Sequence, residues 1–255
     1  MSQPQSTRLN KFLAERLGLS RREADDIISA GKVKIDGQMA QLGARVDYSS
    51  KVWYNGNIIP FNTDYLYIAF NKPVGYVCSR RAQGATPTLY ELLPQKYQKL
   101  KTVGRLDKDS SGLILLTNDG DFAYQMTHPK FHKEKIYEVE LDHPLEPLHQ
   151  QMISDYGVML DDGLSKFTVV TSTGGGAGGT PAARRRMPST VGEAATTGPV
   201  ERLHFTVILS EGRNRQIRRT FAALGYRVVA LHRTQFGPYQ LSGLAPGKCE
   251  IIQKL

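Results

Sequence analysis

The chain has 255 residues, enough for one large domain or for a large and a small one. It carries 33 Lys and Arg against 24 Asp and Glu, and the resulting net charge of +9 points to a polyanionic partner, nucleic acid first. Only two cysteines are present, Cys78 and Cys249, which excludes a disulfide framework and a zinc set and fits a reducing compartment. The polar start, Met1 to Thr7, has no apolar core and does not read as a signal peptide. No apolar run approaches the roughly 18 residues of a membrane span, so a soluble, cytoplasmic protein without membrane contact is expected.

After a flexible tail, 1–7, two short helices are predicted over 8–31. Leu9, Phe12, Leu13 and Leu17 recur at helical spacing and Gly18 ends the first helix. Ser20 and Glu23 have the spacing of a capping box for the second, whose apolar face is Ala24, Ile27 and Ile28. Val33 and Ile35 alternate with Lys34 and Asp36 before Gly37, which suggests a hairpin. Val46, Val52 and Trp53 continue in the same style up to Asn55-Gly56. The cations of this module, among them Arg8, Lys11, Arg21, Arg22, Lys32 and Lys34, are expected on one face that meets phosphates.

A linker is expected over 56–64, broken at Pro60. Leu66, Ile68 and Phe70 then alternate as a strand until Asn71-Lys72-Pro73-Val74-Gly75. A helix carrying Leu89, Leu92 and Leu93 is expected after Thr86-Pro87-Thr88. Leu113 to Leu116 reads as a buried strand. A short helix covers Phe122 to Thr127, and Ile136, Tyr137, Val139 and Leu141 form a strand in a basic setting. Another helix is expected over 144–153 and a strand over Phe167 to Val170. Residues 172–199 are rich in Gly, Ala, Thr, Ser and Pro and read as a disordered insertion. Order resumes with a strand at His204 to Leu209. Ile217, Phe221 and Leu224 then mark one buried helix face, and strands follow at Val228 to Leu231 and Cys249 to Ile252.

Two clusters carry chemistry. Asp107 and Asp109 lie between the apolar runs Val103/Leu106 and Leu113 to Leu116, so a rigid base holds them at its mouth. Carboxylates held that way serve as turn caps, metal ligands or catalytic groups. The second cluster is Arg213, Arg215, Arg218 and Arg219. Helical spacing would put Arg215 beside Arg218 and Arg219, where crowded cations need phosphates or carboxylates among them. A guanidinium keeps a partly buried carboxylate ionised, and an ionised, oriented Asp can act as nucleophile or general base. From the residues alone the reading stops at an Asp–Arg site in a basic protein.

Resemblance extends it. The series Arg8-Leu9-Asn10-Lys11-Phe12-Leu13, Ser20-Arg21-Arg22-Glu23-Ala24 and Val33-Lys34-Ile35-Asp36-Gly37 resembles the RNA-binding domain of ribosomal-protein-S-four type over 8–55. Asn71 to Gly75, Val103 to Leu113, Lys135 to Val139 and Glu211 to Arg219 resemble the motif series of bacterial ribosomal RNA pseudouridine synthases, RsuA/RluB type. The likeness spans nearly the whole chain outside 172–199, with a catalytic domain over 65–255.

The resemblance implies an α+β fold, a small helical and hairpin domain joined to a large domain on a mainly antiparallel mixed sheet. It implies that a uridine in ribosomal RNA loses its N1–C1′ bond, and that the uracil rotates and rejoins through C5, without cofactor or metal. The family's catalytic Asp falls on Asp107, leaving Asp109 to loop structure. The aromatic that stacks on the flipped base and assists loss of the C5 proton falls on Tyr137, and the basic partner of the Asp on Arg218. Ile217 would pack beneath the base, with Arg105 and Arg215 as further substrate contacts. Ribosomal RNA or a pre-ribosomal particle is the implied partner, a large-subunit uridine the favoured target and a small-subunit one the alternative; a monomer is expected.

Two other readings compete. A non-catalytic RNA-binding assembly factor would share the first domain and the charge, but has no reason to gather Asp107, Tyr137 and Arg218 in one cleft. A hydrolase with Asp107 and Asp109 as paired carboxylates is the weakest of the readings.

Overall fold

The computed structural model describes residues 6–61, 64–80, 84–171 and 204–255. The expected insertion at 172–199 lies outside the described residues. In the small domain, β1 (Thr7–Arg8) pairs with β4 (Arg45–Val46), and α1 (Leu9–Arg16) and α2 (Arg21–Ser29) pack over a four-stranded antiparallel sheet. That sheet runs in the order β3 (Gln38–Met39), β2 (Val33–Ile35), β5 (Val52–Tyr54), β6 (Asn57–Ile59). The capping box forms: Ser20 Oγ accepts from the Glu23 N–H at 3.2 Å and Glu23 Oε2 from the Ser20 N–H at 2.6 Å. Leu9, Phe12, Leu13 and Ile28 from the helices meet Val33, Val52 and Ile59 from the inner sheet face in one core.

Both expected borders of this domain shift. Thr7 already belongs to a strand, and 57–59, expected in the linker, form β6 against β5. Asn55-Gly56 is therefore a hairpin turn rather than an exit, and Phe61 still packs on the small core.

The large domain is built on β7 (Tyr67–Lys72), β8 (Lys101–Val103), β9 (Ser111–Thr117), β10 (Lys135–Leu141), β13 (Thr168–Thr171), β14 (His204–Leu209), β15 (Val228–Phe236), β16 (Tyr239–Gln240) and β17 (Cys249–Ile251). The spatial order is β13-β14-β10-β15-β9-β7-β17, with β16 on β15 and β8 on β9. Every pairing is antiparallel except β9 with β15. Leu113 and Leu115 pack on one face with Val103, Phe122 and Phe236, and Ile114 and Leu116 on the other with Phe70, Val139 and Phe221. Burial on both faces explains the unbroken apolar run of β9.

Around the sheet lie α3 (Gly120–Thr127), α4 (Pro147–Gln151), the hairpin β11 (Val158–Leu160) with β12 (Gly163–Ser165), and α5 (Gln216–Ala223). Three expectations change here. Between Pro87 and Pro94 only a 3-10 turn, Leu89–Leu92, fits, opened at Thr88, whose N–H donates to Glu91 Oε1 at 2.7 Å. The helix expected over 144–153 starts at Pro147 and runs into a π turn, Met152–Tyr156. The β11–β12 hairpin was not foreseen, since each strand has three residues and only Asp162-Gly163 signals the turn. The two domains touch where Lys11 pairs with Asp121 and where Lys101 Nζ donates to Leu19 O at 2.7 Å.

Candidate active site

Asp107 stands in a loop between β8 and β9 that is tied down from several directions. Lys72, fully buried at the end of β7, donates its three N–H groups to Pro73 O at 3.0 Å, Asp107 O at 3.0 Å and Ser110 O at 2.7 Å. Burial lowers the Lys72 pKa, opposed by the nearby Cys78, Asp107 and Asp109. The Leu106 N–H donates to Cys78 Sγ at 3.3 Å, and the thiol donates back to Leu106 O at 3.3 Å. Gly75 N–H reaches Lys108 O at 2.7 Å, and Ser110 N–H reaches Asp107 O at 3.1 Å. The backbone around Asp107 is thus fixed while its carboxylate stays accessible, with 34% side-chain exposure.

The carboxylate opens on a cleft of about 300 Å3 whose lining includes Arg105, Tyr137, Arg215 and Ile217. That volume lies at the lower end of small-ligand sites and suits one nucleobase. Tyr137 on β10 and Ile217 on α5 are both buried and supply apolar walls; Arg105 is exposed at the rim. The sequence-predicted Asp, aromatic and apolar residues therefore converge.

Arg218 is the correction. Its guanidinium lies behind Asp109, donating to Asp109 O at 2.8 Å and Val228 O at 2.8 Å, with Nε 3.4 Å from Asp109 Oδ2. It does not line the cleft. The cation at ion-pair distance from Asp107 is Arg215, with Nη1 3.7 Å from Oδ2. Arg215 also grips Asp109 with two bonds of 2.9 Å. This fork, followed by the Arg218 and Arg215 charges, holds the Asp109 carboxyl below the ordinary range despite burial. The physical reason for the swap is backbone: α5 begins at Gln216, and Arg215 caps it in the left-handed region at φ +47°. Helical side-chain spacing does not apply to a residue outside the helix. Asp109 thus anchors the arginines and does more than cap its own loop.

The rest of the arginine cluster is absorbed by carboxylates. Arg213 pairs with Asp162 at 3.1 Å and donates to Leu164 O at 2.7 Å, and Arg219 pairs with Asp162 at 2.6 Å. Both clamp the β11–β12 hairpin to the start of α5.

Sequence reading missed two basic residues in the cleft, Lys135 and Arg233. Arg233 is 2% exposed; its Nε donates to Leu113 O at 2.7 Å and its Nη2 has no partner. Its guanidinium carbon lies 6.0 Å from the centre of the Tyr137 ring and 4.8 Å from that of Phe236. Lys135 Nζ donates to Glu211 O at 3.2 Å, and burial, reinforced by the Arg233 charge, pushes its pKa down to about 8. For Lys135 a signal was present, since it precedes Tyr137 by two in a strand and so shares its face. Arg233 had none, being brought to Tyr137 only by the pairing of β10 with β15. Among the described residues no three His, Cys, Asp or Glu side chains gather so as to hold a metal ion.

The cations of the small domain do not form one face. Arg8, Arg21 and Arg22 are exposed on the helical side, and Lys11 is engaged with Asp121. Lys32 and Lys34 are exposed on the opposite side, because Val33 and Ile35 turn inward and strand residues alternate. No helix among the described residues is long and apolar enough to cross a membrane.

Comparison with known proteins places this geometry. Residues 66–223 match the family described as RNA pseudouridylate synthase, and residues 7–59 match the S4 domain. "Ribosomal small subunit pseudouridine synthase A" of Pasteurella multocida is 34% identical over 94% of each chain. The protein of that name from Yersinia pestis is 35% identical over 94% of this chain and 92% of its own. A solved structure, "Crystal structure of pseudouridylate synthase", superimposes with a TM-score of 0.61 at 28% identity, covering 96% of both chains. The chain belongs to the RNA pseudouridylate synthase family, an enzyme domain preceded by an S4 domain.

Proposed function

We propose that this enzyme converts one uridine of small-subunit ribosomal RNA to pseudouridine, with Asp107 as the catalytic carboxylate. The observation that carries the site is the meeting of Asp107, Tyr137, Ile217 and Arg215 in one cleft of nucleobase size. Motif likeness alone leaned towards a large-subunit target. The relatives matched over 94% of the chain carry small-subunit names, and the reading follows them.

The flipped base enters between Tyr137 and Ile217, where stacking offsets part of the cost of unstacking it from RNA. Asp107 then acts at the sugar, either on C1′ or on a sugar proton. The N1–C1′ bond breaks with its electron pair going to N1, and the uracil turns within the apolar walls. C5 then bonds to C1′ as Asp107 is freed (its bond to C1′ displaced, or the sugar proton returned), and the proton lost from C5 is balanced by the one gained at N1. Arg215 faces Asp107 at 3.7 Å without capturing it in a tight fork, since both its short bonds go to Asp109. Arg218 acts one step back, fixing Asp109 and hence Arg215. Lys135 and Arg233 supply positive charge below the base, directed at its carbonyl oxygens or the adjoining phosphate.

An assay on small- and large-subunit RNA particles tests both parts. Wild-type protein should form pseudouridine at one small-subunit position. Asp107→Asn should reduce turnover by about 10³-fold or more while RNA affinity stays within a few-fold. Substantial turnover by the variant would remove Asp107 from the chemistry. Modification confined to large-subunit RNA would overturn the substrate assignment.

A further inference from the structure

The outer face of the small domain's sheet is covered by no other element among the described residues and has an unusual make-up. Across its four strands runs one row of cross-strand neighbours, Met39, Lys34, Trp53 and Ile58. Met39 is 54% and Ile58 55% exposed, so the row is an open apolar strip with an indole at its centre. Two residues along the strands lie Lys32 and Lys51, on the same face by alternation, and all three lysines line a hollow with Trp53. None of the three is in an ion pair among the described residues. The nearby carboxylate, Asp36, accepts from the Lys51 backbone N–H at 2.8 Å.

We infer that this face is a second RNA-binding surface, a platform on which an unpaired nucleotide stacks on Trp53 while Lys32, Lys34 and Lys51 take its flanking phosphates. A flat antiparallel sheet presenting an aromatic ring among cations suits single-stranded nucleic acid, because every base offers a π-face and every linkage an anion. An apolar protein strand laid on the same row would leave three cations desolvated without partners. The helical side of the domain, with Arg8, Arg21 and Arg22, is a separate surface, so the domain would hold RNA on both sides. The inference rests on the enzyme acting on RNA, and its test is independent of turnover.

Trp53 is the only tryptophan in the chain, so its fluorescence reports this face alone. The full chain is titrated with an oligoadenylate of about eight nucleotides, which contains no uridine and cannot be isomerised. Saturable quenching of Trp53 is expected. Trp53→Ala should weaken binding of the labelled oligomer on the order of 10-fold, and Trp53→Phe should restore most of it. The double variant Lys34→Glu, Lys51→Glu should also weaken binding and flatten its salt dependence by about 0.7 per lost cation. That pair decides the matter if Trp53→Ala fails to fold. Binding of the oligomer with unchanged Trp53 fluorescence, or folded variants that bind as wild type, would overturn the platform. Quenching by ribosomal protein but not by RNA would make the face a protein-docking surface instead. Quenching by the oligomer without any pseudouridine formation on ribosomal RNA would leave the platform standing and overturn the function above.

Discussion

Lys135 is the residue whose charge the cleft makes conditional. A lysine ordinarily titrates near ~10.4, but burial and the Arg233 guanidinium bring this one to about 8. The pKa is lowered, so the ammonium is present below about pH 8 and lost above it. If the ammonium contacts RNA, KM should be flat up to about pH 8 and rise beyond it. Lys135→Arg should abolish that rise, because a guanidinium stays charged. A wild-type KM unchanged to pH 9.5 would remove the ammonium from substrate binding. The same residue shows what a sequence discloses at this scale. Tyr137 and Ile217 could be placed because strand and helix periodicity, joined to the motifs, fix which way they point, whereas Asp107, in a loop, was marked by its motif alone. Arg215 rather than Arg218 stands at ion-pair distance from Asp107, because Arg215 is a left-handed residue just outside α5, and no spacing rule carries that information.

At the scale of elements, the parallel contact of β9 with β15 is the joint on which the cleft depends. It places Gly112 opposite Arg233, at φ +106°, with space for no side chain: an added Cβ would lie 2.2 Å from Arg233 O. Gly112→Ala should therefore destabilise by about 3 kcal/mol, from overpacking and backbone strain together. For a protein of this size that is a fall in Tm of roughly 10 °C, measurable by calorimetry. Activity should fall more than stability does, since the shift moves Arg233 and the Asp107 loop apart. A Tm within a degree or two of wild type would show that the joint yields cheaply. Long apolar runs such as β9 could be read from sequence, as could the capped helix α2. Three-residue strands such as β6 and β11 could not, because each is too short to show an alternation of its own and is defined only by pairing with its hairpin neighbour.

Over the whole molecule, one cation expected to meet RNA instead joins the domains. Lys11 is paired with Asp121, whereas Arg22 is exposed on the helical side. An exposed ion pair contributes only about 0–1 kcal/mol, so the contact orients the small domain rather than welding it. Arg22→Ala should reduce the slope of log affinity against log salt by about 0.7–0.9, while Lys11→Ala should change it much less. Equal losses would mean that Lys11 leaves Asp121 when RNA binds. The two-domain plan and α+β class were visible in the order of motifs, and the borders were not, since a hairpin turn and an exit look alike in composition.

The way Asp107 is held also sets an order of events during synthesis. Its loop is pinned by Lys72 and Cys78 from upstream, but Arg215, which faces both Asp107 and Asp109, Arg218, which holds Asp109, and Arg233 in the cleft come from more than 100 positions downstream. The small domain closes its own core with Ile59, Phe61 and residues before them. A nascent chain can therefore bury that core, with its cationic surfaces in place, long before β15 exists to complete the cleft. Competence to bind precedes competence to react.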